Sequence, residues 1–426
     1  MSELQDLDLR HVLHPHAVVG QARPPVVFVR GDGARLWDAD GNEYLDGTCG
    51  LWVCPVGHGR RELAEAAARQ MEALEYYASF WDFSNEPSIR LAARLAGIAP
   101  PGLDRVFYTN GGSESTETAL KLARLAWHEQ GQADRTIVLT RKLAYHGVSY
   151  GSLGATGIPP LREGFGPLPD EFVFLTAPFP YHGTTTDELV EELERTIVEL
   201  GPERIAAFIG EPVIGVGGMV PPHDDYWPRV QEILRSHDIL FILDEVVTAF
   251  GRTGTWFAAE HWGGLEPDLL VTAKGITSGY FPLGAVLVGE HVTEMLEGRA
   301  FRHGFTYNGH PTGCAVALEN LRIIEDEGLL TRARGLGIHL NDRLQELVEL
   351  PAVGEARCFG LMAGLELLVE DAAELSDRIR AAGVIVRATG QKIVMSPPLV
   401  IEPADLDRIV DVLATELERT PALAPA

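Results

Sequence analysis

Through the middle of this chain, short apolar runs alternate with stretches whose apolar residues return at helical spacing, and that alternation constrains the fold more than any other feature. The runs cover 105–109, 136–140, 205–210, 239–243, 268–272 and 285–288. Each is brief and continuously apolar, as a strand covered by helices on both faces must be. Strand and helix in alternation predict an α/β fold around a mainly parallel sheet. Between the first two runs, 113–130 sets Ala119, Leu122, Ala123 and Ala126 at helical spacing behind Gly111 and Gly112. Near the N-terminus, 35–38 and 43–46 flank the turn Ala39-Asp40-Gly41-Asn42 and predict a hairpin.

A chain of 426 residues exceeds the size at which one core usually suffices, so a large domain with a smaller one attached is expected. A helical stretch at 320–327 and later short strands mark the second lobe, and the residues from Thr420 onward are expected to fray. The formal charge of −26 repels phosphate backbones and anionic lipid, which argues against nucleic-acid and membrane-surface roles. Cys49, Cys54, Cys314 and Cys358 have neither metal-ligand spacing nor disulfide density, so reduced thiols and no metal are expected. The acidic N-terminus lacks an apolar signal region, and no apolar run has membrane-spanning length; the expectation is a soluble, cytoplasmic protein.

Two strand ends carry the strongest chemical signal. Asp244 closes the run 239–243, and Lys274 follows the run 268–272. Ligands of open α/β sheets bind outside the carboxyl ends of strands, where these two side chains can converge. A desolvated lysine there can form an imine with an aldehyde, and a carboxylate can hold a protonated ring nitrogen. Val246 shares a face with Asp244 if the strand continues, and would cover such a ring. A strand-capping acid and a solvated lysine are the rival reading.

Gly112 and Ser113 sit between a strand and a helix, where exposed amides and the helix dipole suit a phosphate; an ordinary N-cap at Ser113 explains the same residues. Tyr145, in Tyr145-His146-Gly147 after the second strand, could lay its ring over the cofactor face opposite Val246, or belong to the core. In Phe305-Thr306-Tyr307-Asn308-Gly309, Thr306 is a candidate for one further phosphate contact.

Together, Gly112-Ser113-Glu114, Tyr145-His146-Gly147, Asp244-Glu245-Val246, Gly251-Arg252-Thr253-Gly254, Lys274 and Phe305-Thr306 resemble the class III aminotransferases of the fold-type I pyridoxal-phosphate enzymes, over about residues 10–415. The resemblance implies pyridoxal 5'-phosphate held as a Schiff base on Lys274, with Gly112, Ser113, Tyr145, His146, Asp244, Val246 and Thr306 around it. It implies a homodimer whose sites each borrow Thr306 from the partner. It also implies a large cofactor-binding domain at 61–320 and a smaller α+β domain made from both chain ends, 1–60 and 321–426.

Members specific for ornithine or acetylornithine carry glutamine after Asp-Glu-Val, where this chain has Val247; that departure points to the ω-amine and β-alanine:pyruvate branch. Gly111 and Ser115 also depart from the usual serine and alanine of the phosphate loop. In the same branch, a tryptophan matching Trp52 lines the substrate pocket, an aromatic pair matching Phe80 and Trp81 enters it from the partner subunit, Arg387 matches a mobile carboxylate-binding arginine, and Glu211 matches an acid near the pocket. Core packing for the aromatics and structural ion pairs for Arg387 and Glu211 are the rival readings.

The expected activity is ping-pong transfer of an amino group from an amine or ω-amino-acid-like donor to a keto acid such as pyruvate. An enzyme of specialised biosynthesis, an aminomutase or a decarboxylase on the same fold are alternatives. A non-catalytic scaffold is a further one, but it would need neither Lys274 nor Asp244.

Overall fold

The computed structural model describes residues 2–20 and 24–423. All six apolar runs become strands of one seven-stranded sheet. In spatial order it runs Leu103–Thr109, Gly284–Gly289, Leu269–Thr272, Leu240–Asp244, Ile205–Gly210, Ile137–Arg141 and Phe172–Leu175. Gly284–Gly289 lies antiparallel to both neighbours, and every other pairing is parallel. The sequence pattern does not mark Phe172–Leu175, a short edge strand whose central residues are only half buried.

Alternation along the strand before Asp244 explains why its run is apolar throughout. Leu240 and Ile242 pack with Ala119, Leu122, Ala123 and Ala126 of the helix Gly112–Glu129, while Phe241 and Leu243 face the opposite layer with Trp227. Each such side chain contributes about 1.5–3 kcal/mol on full burial. A polar residue on either face would therefore cost packing, and the sheet stays rigid beneath its strand ends.

The N-terminal hairpin forms as expected: Arg35–Asp38 pairs antiparallel with Glu43–Asp46. Asp38 fixes its turn by accepting from the amides of Asp40 and Asn42 and from the Asn42 and Tyr44 side chains. Phe28–Asp32 adds a strand on one side, and Val384–Ile385 joins parallel on the other, so segments far apart in the chain share this small sheet. A third sheet combines Val353–Phe359, Met362–Leu367, Lys392–Met395 and Arg387–Thr389.

Two expectations are corrected. The helix expected over 320–327 spans Pro311–Asp326, because Pro311 takes its first position and His310 Nδ1 accepts from the Thr312 amide. The C-terminus is tied down further than expected, since the Leu423 amide donates to the Leu368 carbonyl; residues 424–426 lie outside the described residues. Among the described residues no helix is long and apolar enough to cross a membrane.

Candidate active site

The strand ends meet at a cavity of about 470 Å³ lined by Lys274, Asp244 and eight of the other candidate site residues, Trp52, Gly112, Ser113, Tyr145, His146, Glu211, Val246 and Arg387. Asp244 closes its strand, and Lys274 opens a short turn, Lys274–Ile276, just past Thr272. Lys274 has φ 44°, in the left-handed region, which costs an ordinary residue about 1–2 kcal/mol. Asn320 holds that turn: its Nδ2 donates to the carbonyls of Gly275 (2.8 Å) and Ile276 (3.0 Å), and its Oδ1 accepts from Ser278 at 2.6 Å. Read from sequence, Asn320 was no more than the start of a helix; its place beneath the lysine turn had no local signal.

Burial pushes the Lys274 amine down to about 8, against the opposing pull of Asp244 and Glu211. In protein stripped of cofactor, this amine should react with an acylating reagent along a curve centred at about 8. Below that pH it is protonated and inert; above it the free amine is the nucleophile. A midpoint at the ordinary lysine value of 10.5 would show the site to be wet and the amine unperturbed.

Asp244 is nearly fully buried and doubly held. Its Oδ2 lies 2.7 Å from His146 Nδ1, and its Oδ1 accepts from the Val246 amide at 3.0 Å. Among the described residues His146 Nε2 is buried without a partner, so a proton on Nδ1, facing Asp244, leaves an acceptor rather than an N–H as the orphan. Both residues stood out in the sequence, but their pairing across 98 positions did not. The strand does not continue past Asp244: residues 246–250 form turns, and Val246 reaches the cavity wall at their start.

The helix Gly112–Glu129 points its N-terminus at the cavity. Gly111, not Ser113, occupies the N-cap and no side chain caps the helix; Ser113 Oγ instead accepts from the Val148 amide. The first-turn amides of Gly112 and Ser113 thus lack an intrahelical acceptor and face the cavity side of the helix. At Gly112 a β-carbon would lie 3.0 Å from a Val246 methyl, so a larger residue would push that wall back by a few tenths of an ångström. Ser115 turns inward, 2.6 Å from Thr109 Oγ1 and 3.1 Å from the Thr272 carbonyl, and leaves the amides clear.

The rest of the cavity is largely aromatic and aliphatic. Trp52 is buried, with Lys274 Nζ 5.1 Å and Arg387 Cζ 5.2 Å from its ring centroid. It belongs to a buried cluster with Val216, against which the partly buried Tyr145 and Val247 pack. Burial holds the Tyr145 hydroxyl above its ordinary value and Arg387 below its own. Among the described residues no carboxylate pairs with Arg387, so its ion-pair reading is not met. Among the described residues Glu211 is in no ion pair either: it accepts from the amides of Tyr145 (3.0 Å) and Gly215 (2.8 Å), and burial raises its pKa.

Leu51, Leu161 and Val216, together with Pro15 and His16 of the N-terminal segment, also line the cavity and were not singled out from sequence. Thr306, Phe80 and Trp81 do not line it. They lie together elsewhere: a β-carbon at Gly304 would strike the Phe80 ring, and the Tyr76 hydroxyl donates to the Thr306 carbonyl. Trp81 is 89% exposed.

A buried amine of lowered pKa, a held carboxylate and an uncapped helix start, each facing one cavity, fit pyridoxal phosphate at its aldehyde, ring nitrogen and phosphate. Fold and site together define a pyridoxal-phosphate enzyme of the aminotransferase type. The model of the family "Aminotransferase class-III" matches residues 17–417, and the chain belongs to that family.

It is 40% identical over 419 residues to the putrescine–pyruvate aminotransferase of Pseudomonas aeruginosa, with 93% of this chain and 91% of that relative covered. An (S)-enantioselective omega-transaminase from Thermomicrobium roseum superposes with a TM-score of 0.94 at 48% identity. The omega-transaminase of Pseudomonas jessenii in complex with PMP does so with a TM-score of 0.94 at 35% identity. Both superpositions cover 98% of each chain.

Proposed function

We propose that this transaminase takes its amino group from an amine or ω-amino-acid-like donor and gives it to a keto acid such as pyruvate, in two successive half-reactions at one cavity. The observation that carries this reading is the Trp52 ring, near whose centroid lie both the reactive amine of Lys274 and Arg387, an arginine without a carboxylate partner among the described residues. An apolar amine gains from burial against Trp52, Val216 and Val247. A keto acid gains a charge-assisted contact at Arg387, whose buried charge is otherwise uncompensated. The names of the relatives, one acting on putrescine and pyruvate, support the same pairing.

When bound, pyridoxal phosphate supplies an aldehyde for the amine and a ring that withdraws electrons from the substrate carbon. In this reading Lys274 carries the cofactor and, once displaced, moves the substrate α-proton as a base whose lowered pKa suits neutral solution. Asp244, held in place by His146 and the Val246 amide, would meet the ring nitrogen. Gly112 and Ser113 would offer amides to the phosphate, and Tyr145, His146 and Val246 would wall the place of the ring. Glu211 keeps the Tyr145 and Gly215 backbones in place beside the substrate.

The reading includes a homodimer in which Thr306, Phe80 and Trp81 complete the neighbouring site. The exposure of Thr306 and Trp81, and their position outside this chain's own cavity, support it. A cytoplasmic setting goes with four free thiols. The division into 61–320 and a smaller domain from 1–60 and 321–426 is supported by the pairing of Glu43–Asp46 with Val384–Ile385.

Titrating the holoenzyme with amines in the absence of acceptor should bleach the absorbance of the lysine-bound cofactor, and pyruvate added afterwards should restore it. A requirement for both substrates at once would overturn the two-step scheme. Arg387→Ala should raise the KM for pyruvate by about tenfold to a hundredfold, the loss of a charge-assisted contact, and change kcat/KM for an uncharged amine little.

A further inference from the structure

Asp46 is fully buried at the end of the strand Glu43–Asp46 and is part of none of the chemistry above. Its carboxylate nevertheless gathers a dense set of donors. Oδ1 accepts from the Thr48 amide at 3.0 Å and lies 2.9 Å from the Thr48 hydroxyl; Oδ2 accepts from the Gly50 amide at 2.6 Å and lies 2.9 Å from His58 Nε2. The loop so held leads directly into Trp52, whose own amide donates to the Thr48 carbonyl at 2.8 Å.

That loop would not keep its shape unaided. Cys49 (φ 53°), Gly50 (φ 69°) and Trp52 (φ 60°) lie in the left-handed region, which non-glycine residues occupy only when their surroundings impose it. Among the described residues, Asp46 supplies the side-chain hydrogen bonds to the amides of this loop. Along its backbone, Asp46 also pairs with Ile385 in the parallel strand Val384–Ile385, two residues before Arg387. The neighbouring Gly47 carbonyl accepts from the Ser396 amide at 2.7 Å, just beyond the strand Lys392–Met395 that pairs with Arg387–Thr389. Both the Trp52 wall and the Arg387 wall of the cavity therefore hang from one strand end.

We infer that Asp46 is a positioning residue for substrate selection: its carboxylate fixes the loop that presents Trp52, and its strand pairing holds the edge from which Arg387 projects, so the spacing between the two walls is set from Asp46. The inference rests on the reading of Trp52 and Arg387 as walls of the substrate site. His58, partly exposed behind the carboxylate, is the outer member of the same device.

The test compares the holoenzyme with Asp46→Asn and His58→Ala, using benzylamine and alanine as donors. Asp46→Asn places an N–H among donors, and benzylamine KM should rise by about tenfold relative to alanine KM. The kcat for each donor and the absorbance of the lysine-bound cofactor should stay close to those of the parent. His58→Ala should shift the KM ratio the same way by about threefold, and it provides the measurement if Asp46→Asn does not fold. A loss of thermal stability with an unchanged KM ratio would make Asp46 merely structural and overturn the inference, as would an equal loss of kcat for both donors. Trp52→Ala is the control: if it leaves the KM ratio unchanged, the assignment of the substrate walls fails, not the role of Asp46 in holding the loop.

Discussion

Lys274→Ala should yield a folded protein that binds pyridoxal phosphate without the absorbance of the lysine-bound form and turns over at least about 10⁴-fold more slowly. The size of the effect follows from the double duty assigned to one amine, which holds the aldehyde and then moves the substrate α-proton. Burial and the depressed pKa of about 8 prepare it for both. The two lining carboxylates are already engaged, Glu211 by two backbone amides and Asp244 by His146 and the Val246 amide. The fold should survive, because alanine relieves a buried amine of its desolvation cost and Asn320 still holds the turn. Circular dichroism and cofactor absorbance check the two halves; undiminished turnover would remove the central assignment.

Asp244→Asn should lower kcat by about 10²- to 10³-fold, the scale of removing one charge aimed at the reacting system, with less effect on folding. An amide at this position still accepts from the Val246 amide at one atom. Its nitrogen, however, must face His146 Nδ1, so either the histidine changes tautomer or one donor stands against another. The signature expected is slow removal of the α-proton, seen as a large primary isotope effect on the amine half-reaction, together with a retained lysine-bound cofactor band. Full activity would mean that Asp244 does not face the ring nitrogen.

The fold was largely legible because its signal is local. Continuous apolar runs announce strands covered on both faces, and the burial of Leu240 and Ile242 in one layer and Phe241 and Leu243 in the other is the physical form of that pattern. What escaped was short or disguised: the edge strand Phe172–Leu175, and the helix start at Pro311 hidden among turn formers. The site was legible to the extent that strand ends could be located, which placed Asp244, Lys274 and the amides of Gly112 and Ser113 at one rim. The family resemblance added Trp52, Glu211 and Arg387, and the cavity holds all three. It gave no reason for their spacing.

Sequence alone determined the parallel α/β body and the identities of a carboxylate and a lysine at neighbouring strand ends, because side-chain periodicity and chain breaks depend on a few adjacent residues. Only the tertiary structure decided that His146 anchors Asp244, that Asn320 braces Lys274, and that Asp46 holds the loop of Trp52 while pairing beside Arg387. Those contacts join segments whose meeting depends on strand order and register across whole sheets. No local pattern encodes that geometry, and it is there that the two walls facing a substrate acquire their spacing.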